Sequence, residues 1–455
     1  MATAVAKFGW LTGGILILVL LAMNVHVSVL MWRAYMAVPG VTTYTGLVQA
    51  SFAQAPKWQR NFMIRITCLS QYAFIFSMLG LYALSFGKGL GMTNYSTRLC
   101  LPIWSLIGCL AILPFNLTAR RLGAWQSLIY LNVGTILGTI IIPLVYMASE
   151  GVEATRPPGS EFYAVTQPDA AAVLSGLSTF TFAFTSQFML VEIMSEMRDP
   201  AELPKAYALI SGPFQCLGFL LVGLGGYYYV GSAITGIITD NIPFGTTYRA
   251  ASACLLIHML IVYLIKSIVL CNAMHGLWDP NNVNENNGKA WITWAVLVTS
   301  TLVLAYIFSQ VVPFFSDFVD LLGASLTPIS CFIIPVLCYI RSYVDSGKAK
   351  KAGGNASESE SETESSSSAA HEVFCPAACA APVCVLEWIA IALELGLGFT
   401  LTIFGTYSAA NNIMKSWDTY GLPFECHCES TWNTCECSAE HVGMEFCSAS
   451  ANGTA

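Results

Sequence analysis

Residues 178–208 read STFTFAFTSQFMLVEIMSEMRDPAELPKAYA, an aromatic, apolar run with hydroxyl and amide side chains that ends in a charged turn with two prolines. The run is long enough to form a membrane helix. Every polar group inside a bilayer needs a protein or water partner, so Thr, Ser and Gln side chains in such a helix face a cavity or a neighbouring helix. The stretch therefore predicts a membrane helix whose polar face lines an internal cavity or packs against a neighbouring helix.

The whole chain has the composition of a membrane protein. Of its 455 residues 55% are hydrophobic and only 10% are charged, and the mean hydropathy is +0.62. Ten apolar runs are long enough, or nearly so, to cross a bilayer core of about 30 Å. The runs leave no room for a separate catalytic domain, and no HExxH or GxSxG motif occurs, so the sequence argues against an enzyme. They lie near 11–32, 62–86, 99–116, 123–147, 172–194, 206–231, 250–272, 290–312, 314–340 and 387–410.

The positions of the basic residues indicate which way the runs cross. If the chain starts outside and every run crosses once, 14 of the 20 basic residues lie on the inner side and 6 on the outer side. Membrane proteins concentrate Lys and Arg on their inner loops, so this orientation is favoured. The net charge of −7 says little about partners, because four of the 27 acidic residues stand in the single stretch 358–364. The six outer residues are Lys7, Lys88, Arg98, Arg156, Arg249 and Lys415.

The runs divide the chain into four parts. A membrane core of about nine spans covers 1–341, a Ser/Glu-rich inner loop covers 342–386, the last span covers 387–410, and a Cys-rich outer tail covers 411–455. The loop is too polar to bury a core, so we expect it to be disordered. Its alternating Ser and Glu suit acid-directed phosphorylation, and a plain solvated linker explains the same composition.

The 16 cysteines fall into three groups. Eight lie within or beside the first nine runs, where a buried Cys acts as a small apolar side chain. Three precede the last run, and palmitoylation there is only weakly indicated. Five stand in the tail in the pattern CHC…CEC, and an outer tail favours disulfides. A zinc site with His427 or His441 is the alternative, although C-x-C is not the usual zinc spacing.

Four stretches resemble the amino acid/auxin permease family (amino acid transporter, transmembrane domain), within the amino acid-polyamine-organocation superfamily. Lys7-Phe8-Gly9-Trp10 and the run after it resemble the family's GW turn and second helix, and 182–206 resembles its sixth helix and the following turn. Residues 225–231, GGYYYVG, resemble the end of the seventh helix, and 309–341 resembles the corner between the ninth and tenth. The likeness covers most of the chain outside the loop and the tail. The matching corner positions are Pro313, Phe315, Asp317, Leu321, Gly323, Ala324 and Pro335.

The resemblance implies a fold and a mechanism. The family has about eleven helices, arranged as two inverted repeats of five with one extra, and its first and sixth helices are unwound at mid-membrane. It implies that an amino acid binds the exposed backbone of those two helices, and that a proton or sodium gradient drives its movement without any other cofactor. The physics is consistent with this, since free N–H groups at a helix terminus attract anions and free carbonyls attract cations.

The start of the chain departs from the family pattern. Residues 1–10 correspond to the outer end of the family's first helix. We therefore expect an all-α polytopic membrane protein with the five-plus-five inverted-repeat transporter fold, lacking most of the first helix. The count of ten runs, against about eleven in the family, agrees. A truncated sequence is the favoured explanation, and a protein that lacks half of its solute site is the alternative.

The predicted substrate site lies on the sixth helix, with contributions from the run 62–86. Gln71 and Tyr72 on that run lie at a depth suited to the same cavity, where packing explains them equally well. Helix-to-helix bonding is the alternative for the hydroxyl groups of the sixth helix. The positions that the resemblance implies are Phe180, Thr181, Phe182, Ala183, Phe184, Thr185 and Ser186.

Ionisable residues inside the runs are candidates for proton movement and gating. His258 and His26 are predicted to couple proton movement, and a hydrogen-bonded interhelical histidine is the alternative for each. Asp317, at the outer corner, and Glu192, at the inner mouth, are predicted gate residues. Interfacial placement is the alternative for Asp317, and an ion-pair cluster at the inner mouth is the alternative for Glu192.

Three other charged residues in the runs have less specific expectations. Lys266 is expected to extend toward the inner surface, where its ammonium group reaches water. For Glu394 a carboxylate inside a span invites a functional reading, and a shallow position or contact with a partner protein is an equally favoured alternative. Asp320 is expected to shape an outer gate together with Asp317, and interfacial placement is the alternative for Asp320 as well.

Two functions remain open at this point. The first is secondary active transport of an amino acid or a related small zwitterion, which predicts gradient-dependent uptake. The second is a non-transporting nutrient receptor or regulatory membrane protein on the same scaffold, which predicts binding without flux. Both predict a multi-pass protein of the plasma membrane or of a vacuolar or lysosomal membrane, with the lipid bilayer and a small zwitterion as partners and no nucleic acid. Neither fixes the oligomeric state.

Overall fold

The computed structural model describes residues 1–38, 40–94, 97, 99–120, 126–283, 285–312, 315–353, 381–420 and 423–424, and these residues are helical with no β-strand among them. The Ser/Glu-rich segment, the tail cysteines and Pro313 lie outside the described residues, so the predictions made for them stay predictions. The helices are α1 Ala2–Phe8, α2 Trp10–Met36, α3 Tyr44–Ser51, α4 Lys57–Thr93, α5 Leu101–Thr118, α6 Gln126–Glu150, α7 Val152–Thr155, α8 Ala170–Ala183, α9 Leu190–Glu196, α10 Leu203–Ala206, α11 Gly212–Leu220, α12 Gly226–Val230, α13 Thr246–Trp278, α14 Gly288–Val311, α15 Phe315–Ala324, α16 Leu326–Pro328, α17 Ile334–Gly353, α18 Ala381–Thr400 and α19 Thr406–Tyr420.

Ten of the described helical segments are long and apolar enough to cross a membrane, which confirms the ten predicted spans. Each overlaps one apolar run of the sequence. The last segment continues through α19 to Trp417, well beyond the predicted end at 410. Many large apolar side chains on these helices are exposed, as expected where the surrounding solvent is lipid.

Local sequence signals explain where several of these helices begin. Thr43, Asp169 and Asn287 are the N-caps of α3, α8 and α14, and each side chain accepts a hydrogen bond from a backbone N–H of the first turn. Gly9 separates α1 from α2 with φ of 85°, and a Cβ there would stand 2.8 Å from the carbonyl oxygen of Ala164. Only glycine meets both conditions without strain.

The helices pack around α4 and α13, which lie against each other in the middle of the molecule. α13 also packs on α6, α4 on α5 and α14, α15 on α8, and α17 on α2. The three largest hydrophobic clusters of the described residues are defined here by their central residues. The outer cluster includes Phe8, Phe180, Phe184 and Tyr227, the central cluster includes Phe74, Phe188, Tyr263 and Phe318, and the inner cluster includes Tyr44, Leu190, Met194 and Leu203.

Ion pairs join residues that the charge rule assigns to the same side of the membrane. Lys88 pairs with Asp240 on the outer side at 3.2 Å, and Lys7 with Asp320 at 3.7 Å. On the inner side Arg33 pairs with Glu387 at 2.8 Å, and Lys289 with Asp279 at 2.9 Å. The packing is therefore consistent with the orientation inferred from the sequence.

The cysteines of the membrane core behave as expected with one exception. Cys68, Cys109, Cys216, Cys254, Cys271, Cys331 and Cys338 are free thiols at buried or half-buried positions. Cys100, at the N-terminus of α5, forms a disulfide bond instead. For Cys100 the interpretation as a small apolar side chain is therefore wrong.

Candidate functional site

The span that opens with α8 is broken at its centre, which confirms the predicted interruption. α8 ends at Ala183, Phe184 to Ser186 leave the helix, a single 3₁₀ turn covers Gln187–Met189, and α9 begins at Leu190. Phe180 and Phe184 pack in the outer cluster, Phe188 in the central cluster and Leu190 in the inner cluster. The break, residues 184–189, is thus the point where the three clusters meet.

The side chain of Gln187 joins the break to α2 through hydrogen bonds. The side-chain amide nitrogen of Gln187 lies 2.5 Å from Asn24 Oδ1, 3.0 Å from Ser28 Oγ and 3.1 Å from the Asn24 carbonyl oxygen. All three residues are fully or almost fully buried. Sequence analysis did not assign Asn24 and Ser28, although two polar residues four apart in an apolar run lie on one helix face and are the signal for such a contact.

A second amide fastens the break to α4. Gln71 donates to the carbonyl oxygen of Phe188 at 2.8 Å and to Glu192 Oε1 at 3.1 Å. Glu192 Oε1 also accepts from the backbone N–H of Tyr44 at 3.0 Å, so this carboxylate joins α3, α4 and α9. The ion-pair alternative for Glu192 is wrong, because its described partners are an amide and a backbone N–H. Tyr72 follows Gln71 on α4, and its side chain lies near Glu192 and Cys68.

Tyr44 completes this inner support. Its hydroxyl group donates to the carbonyl oxygen of Ser330 at 2.8 Å, and its ring is fully buried in the inner cluster. Burial raises the pKa of the Tyr44 hydroxyl well above its ordinary value, so the group stays a neutral donor. The inner end of the broken span therefore rests on a helix, α3, that is too short to span the membrane.

The predicted substrate positions 180–186 divide by burial. Phe180, Thr181 and Phe184 are buried, whereas Phe182, Ala183, Thr185 and Ser186 keep part of their surface exposed. Thr185 Oγ1 donates back to the carbonyl oxygen of Phe182 at 2.6 Å, and Ser186 Oγ accepts from the Tyr207 hydroxyl at 3.1 Å. The half-buried positions are those at the start of the break.

Several buried polar atoms of residues at the break make no hydrogen bond within the described part of the chain. They are Thr181 Oγ1, Asn24 Nδ2 and Glu192 Oε2. Buried polar groups are normally paired, and an unpaired one costs about 1–3 kcal/mol. These atoms are available to water or to a polar solute.

Lys266 contradicts the sequence-based expectation. The residue lies on α13, but its ammonium group does not extend to the inner surface. Nζ stands 3.2 Å from the thioether sulfur of Met189 and 4.4 Å from the ring centroid of Phe188, so the side chain reaches the break. Cys331 lies near Nζ and beside the backbone of residues 186–188. The sequence around Lys266 is apolar and does not indicate this contact, because the contact depends on how α13 packs against the broken span.

The two predicted coupling histidines lie in different places. His26 Nδ1 is 2.6 Å from Glu394 Oε1, and the Glu394 side chain is completely buried with Oε2 unpaired among the described residues. The alternative of a shallow or partner-facing Glu394 is wrong, because the carboxylate faces α2. His258 instead lies near the backbone of Asn132 on α6, its Nδ1 is buried without a hydrogen bond among the described residues, and it makes no described contact with the break.

Asp317 and Asp320 lie one turn apart on α15 and hydrogen bond to different helices. Asp317 accepts a hydrogen bond from Ser416 of α19 at 2.5 Å. Asp320 is buried and accepts hydrogen bonds from the hydroxyl groups of Ser175 and Thr179 on α8, beside a polar cavity of about 310 Å³ that Lys7 also lines. Interfacial placement is therefore wrong for Asp320, which joins the outer half of the broken span to α15.

A buried ion pair closes the outer side. Lys88 at the end of α4 pairs with Asp240 in the 3₁₀ turn Ile238–Asn241, and both side chains are at most 4% exposed. Burial raises the pKa of Asp240 to about 6, and the Lys88 ammonium opposes part of this shift. The pair holds the loop between α12 and α13 over the outer cluster.

Comparison with known proteins agrees with this geometry. The family model described as transmembrane amino acid transporter protein matches residues 1–352. The amino acid transporter AVT1D of Arabidopsis thaliana is 25% identical over 352 residues, which cover 75% of this chain and 60% of that protein. The amino acid transporter AVT3A of the same plant is 23% identical over 248 residues, 52% of each chain. The auxin transporter-like protein 2 of Oryza sativa subsp. japonica is 24% identical over 258 residues, 56% of this chain and 48% of that protein.

The match extends through nine of the ten spans and includes the broken one. The chain spans about half to three-fifths of the length of these curated relatives. A model match over more than half of the chain, together with the all-helical multi-pass architecture, leads to one conclusion. The chain belongs to the family of transmembrane amino acid transporter proteins.

Proposed function

We propose that this protein is a secondary active transporter that carries amino acids across a membrane, with the break at 184–189 as its solute site. One observation carries the proposal: a membrane span that is broken near its middle and whose break is hydrogen bonded by Gln187 to α2 and by Gln71 to α4. A broken helix exposes backbone groups that a solute can bind, and irregular backbone at this depth is tolerated only where it lines protein or a cavity. The names of the related proteins support an amino acid as the solute.

The anchoring of the two halves supports alternating access. The outer half of the broken span packs in the outer cluster and joins α15 through Asp320, and the inner half packs in the inner cluster on α3. The two halves therefore pack in different clusters, and the break joins them. Movement of one cluster against the other would open the site to one side at a time. Asp317 and Glu192 remain the proposed outer and inner gate residues.

The proposed driving ion is the proton rather than sodium, and the proposed carrier is the pair His26 and Glu394. A completely buried carboxylate beside an imidazole can share one proton with it, and the pair with that proton is neutral overall whichever partner holds it. Release of the proton leaves one buried negative charge, which favours the uptake of another proton. Other titratable groups near this pair are Glu387 on α18 and, in the groove beside His26, Tyr207 and Cys216. His258 makes a weaker candidate, since it contacts α6 and not the break.

Uptake by proteoliposomes tests the solute site. Thr185→Trp should abolish saturable uptake of radiolabelled amino acid, because the indole ring would fill the start of the break. Thr299→Trp on the exposed face of α14 is the matched control and should transport as the wild type does. Normal uptake by Thr185→Trp would show that the site is elsewhere, and saturable binding without uptake by the wild type would favour a receptor.

Uptake with an acidic exterior tests the coupling. Glu394→Gln should lose the acceleration of uptake by a pH gradient while it keeps exchange of internal for external amino acid. Glu387→Gln, on the same helix, should keep the acceleration. Retained pH-driven uptake in Glu394→Gln, or acceleration by sodium alone, would contradict the proposed carrier. The proposal holds for a plasma membrane and for a vacuolar or lysosomal membrane, and imaging of a tagged protein in cells separates the two.

A further inference from the structure

Lys266 is a cation inside the membrane core, and it has no acidic partner among the described residues. Among the residues that the structure describes, no carboxylate oxygen lies within 4.0 Å of its Nζ. Its ammonium group contacts the Met189 thioether and the Phe188 ring, at 3.2 Å and 4.4 Å. The side chain is half-buried, so it keeps some accessible surface.

The groups around this ammonium are weak substitutes for an anion. A thioether is a weak hydrogen-bond acceptor, and an aromatic face attracts a cation only modestly. The Cys331 thiol lies nearby, and Glu192, the carboxylate closest in sequence to the break, is engaged with Gln71 and Tyr44. A positive charge in a low-dielectric interior is costly unless an anion accompanies it.

The position of Lys266 indicates which anion completes the site. Its ammonium group touches residues 188 and 189, the second half of the break, and the half-buried Thr185 and Ser186 begin the first half. Resting on the proposed transport function, we propose that Lys266 is a substrate-binding residue whose ammonium group pairs with a carboxylate of the transported amino acid. The lysine supplies the positive charge, and the amino acid supplies the missing counter-ion.

Equilibrium binding to the purified full chain in detergent tests the proposal without requiring transport. The probes are radiolabelled alanine, leucine and aspartate. Lys266→Met should weaken binding by about 30-fold or more, as expected when one partner of a desolvated charge pair is removed. Lys266→Arg keeps the charge and should retain most of the affinity. Lys289→Met, which removes a lysine that is 71% exposed in its pair with Asp279, is the matched control and should bind normally.

Decarboxylated ligands show whether the lysine contacts the carboxylate itself. Ethylamine and isoamylamine lack the carboxylate of alanine and leucine, so Lys266→Met should bind them no more weakly than the wild type does. An equal loss for the amines and the amino acids would overturn the proposal. A loss for all three amino acids identifies the α-carboxylate as the partner, and a loss confined to aspartate identifies a side-chain carboxylate.

Thermal unfolding of the ligand-free protein separates binding from folding. Replacing an unpaired buried charge with an apolar side chain of similar length should leave the melting temperature unchanged or raise it. A melting temperature well below that of the wild type in both Lys266→Met and Lys266→Arg would make the lysine structural and overturn the proposal. If the wild type takes up amino acid and Lys266→Met binds it normally, only the inference about Lys266 is rejected. If the wild type binds amino acid but does not take it up, only the transport proposal is rejected. No binding by the wild type rejects both.

Discussion

Gln187 determines the geometry of the break more directly than any other single residue. Its side-chain nitrogen serves three acceptors on α2 within 3.1 Å, and the site is fully buried. Gln187→Leu leaves buried acceptors unpaired, at a cost of about 1–3 kcal/mol. We expect a lower melting temperature and loss of amino acid uptake.

Gln215→Leu is the matched control for that variant. The Gln215 side chain lies on α11, is half-buried and donates to Ser211 within its own helical segment. Its removal should change the melting temperature little and leave uptake intact. Equal effects of the two substitutions would show that Gln187 has no special role at the break.

At the scale of single residues the sequence predicted types of side chain better than their partners. Hydroxyl and amide groups in an apolar run must find partners, so hydrogen bonds of Gln71, Thr185 and Ser186 with other protein groups were predictable without a structure. The partner of Glu394 was not, because His26 is 368 residues away in sequence and meets it only through packing of two helices. Lys266 was misassigned for the same reason.

The contact between α15 and α8 brings backbone against backbone. A Cβ added at Gly323 would stand 2.0 Å from the carbonyl oxygen of Ser178, and neither atom can move without moving its helix. Overpacking usually costs about 1–3 kcal/mol, and a clash with backbone belongs at the upper end of that range or above it. Gly323→Ala should therefore lower the melting temperature strongly.

Gly396→Ala provides the comparison for that helix contact. Gly396 lies on the exposed face of α18 with open space around it, so the added methyl group meets nothing within 4 Å. Alanine favours a helix over glycine by about 1 kcal/mol, so stability should stay constant or rise. If Gly323→Ala and Gly396→Ala have the same melting temperature, the close packing of α15 on α8 is not what supports the broken span.

The loop between α12 and α13 should respond to pH through Asp240. The pKa of Asp240 is about 6 in the closed loop, because burial raises it from 3.8, its value in water. The Asp240 carboxyl therefore binds a proton more tightly in the closed loop than in an opened loop. This difference stabilises the closed loop fully below about pH 4, and the stabilisation is lost as the pH rises through 6. The full difference is on the order of 2–3 kcal/mol.

Hydrogen exchange of the amides in 234–242, corrected for the intrinsic pH dependence, measures this opening. Protection should decrease between pH 5 and pH 7 in the wild type. Asp240→Asn removes the titrating group and should give protection that does not change over this range. Protection that increases with pH in the wild type would contradict the assignment of the raised pKa to Asp240.

At the scale of helices the sequence predicted which membrane spans exist better than it predicted where each helix ends. Apolar length identifies a span because the bilayer thickness is fixed, and all ten runs appear as helical spans. Helix ends depend on caps and on contacts that a hydropathy pattern does not contain, so the continuation to Trp417 was missed. The short α3 was also missed, since its stability depends on packing in the inner cluster.

At the scale of the molecule, orientation is the property most directly determined by sequence. The ratio of 14 inner to 6 outer basic residues follows from one rule that does not depend on tertiary contacts. The ion pairs formed by Arg33, Lys88 and Lys289 agree with it, because each joins two residues assigned to one side. The position of the break between three clusters could not be predicted from the sequence, because it depends on contacts among helices that are distant in the chain.

A labelling experiment tests the orientation of the whole chain. Glu153 follows α6 on the predicted outer side and Asn286 precedes α14 on the predicted inner side, and both are exposed. In intact cells that carry the protein at their surface, a membrane-impermeant thiol reagent should label Glu153→Cys, and Asn286→Cys only after permeabilisation. The unmodified chain measures the background from its own thiols. The opposite pattern would invert every inner and outer assignment, so the site would open first to the other side of the membrane while its residues stayed the same.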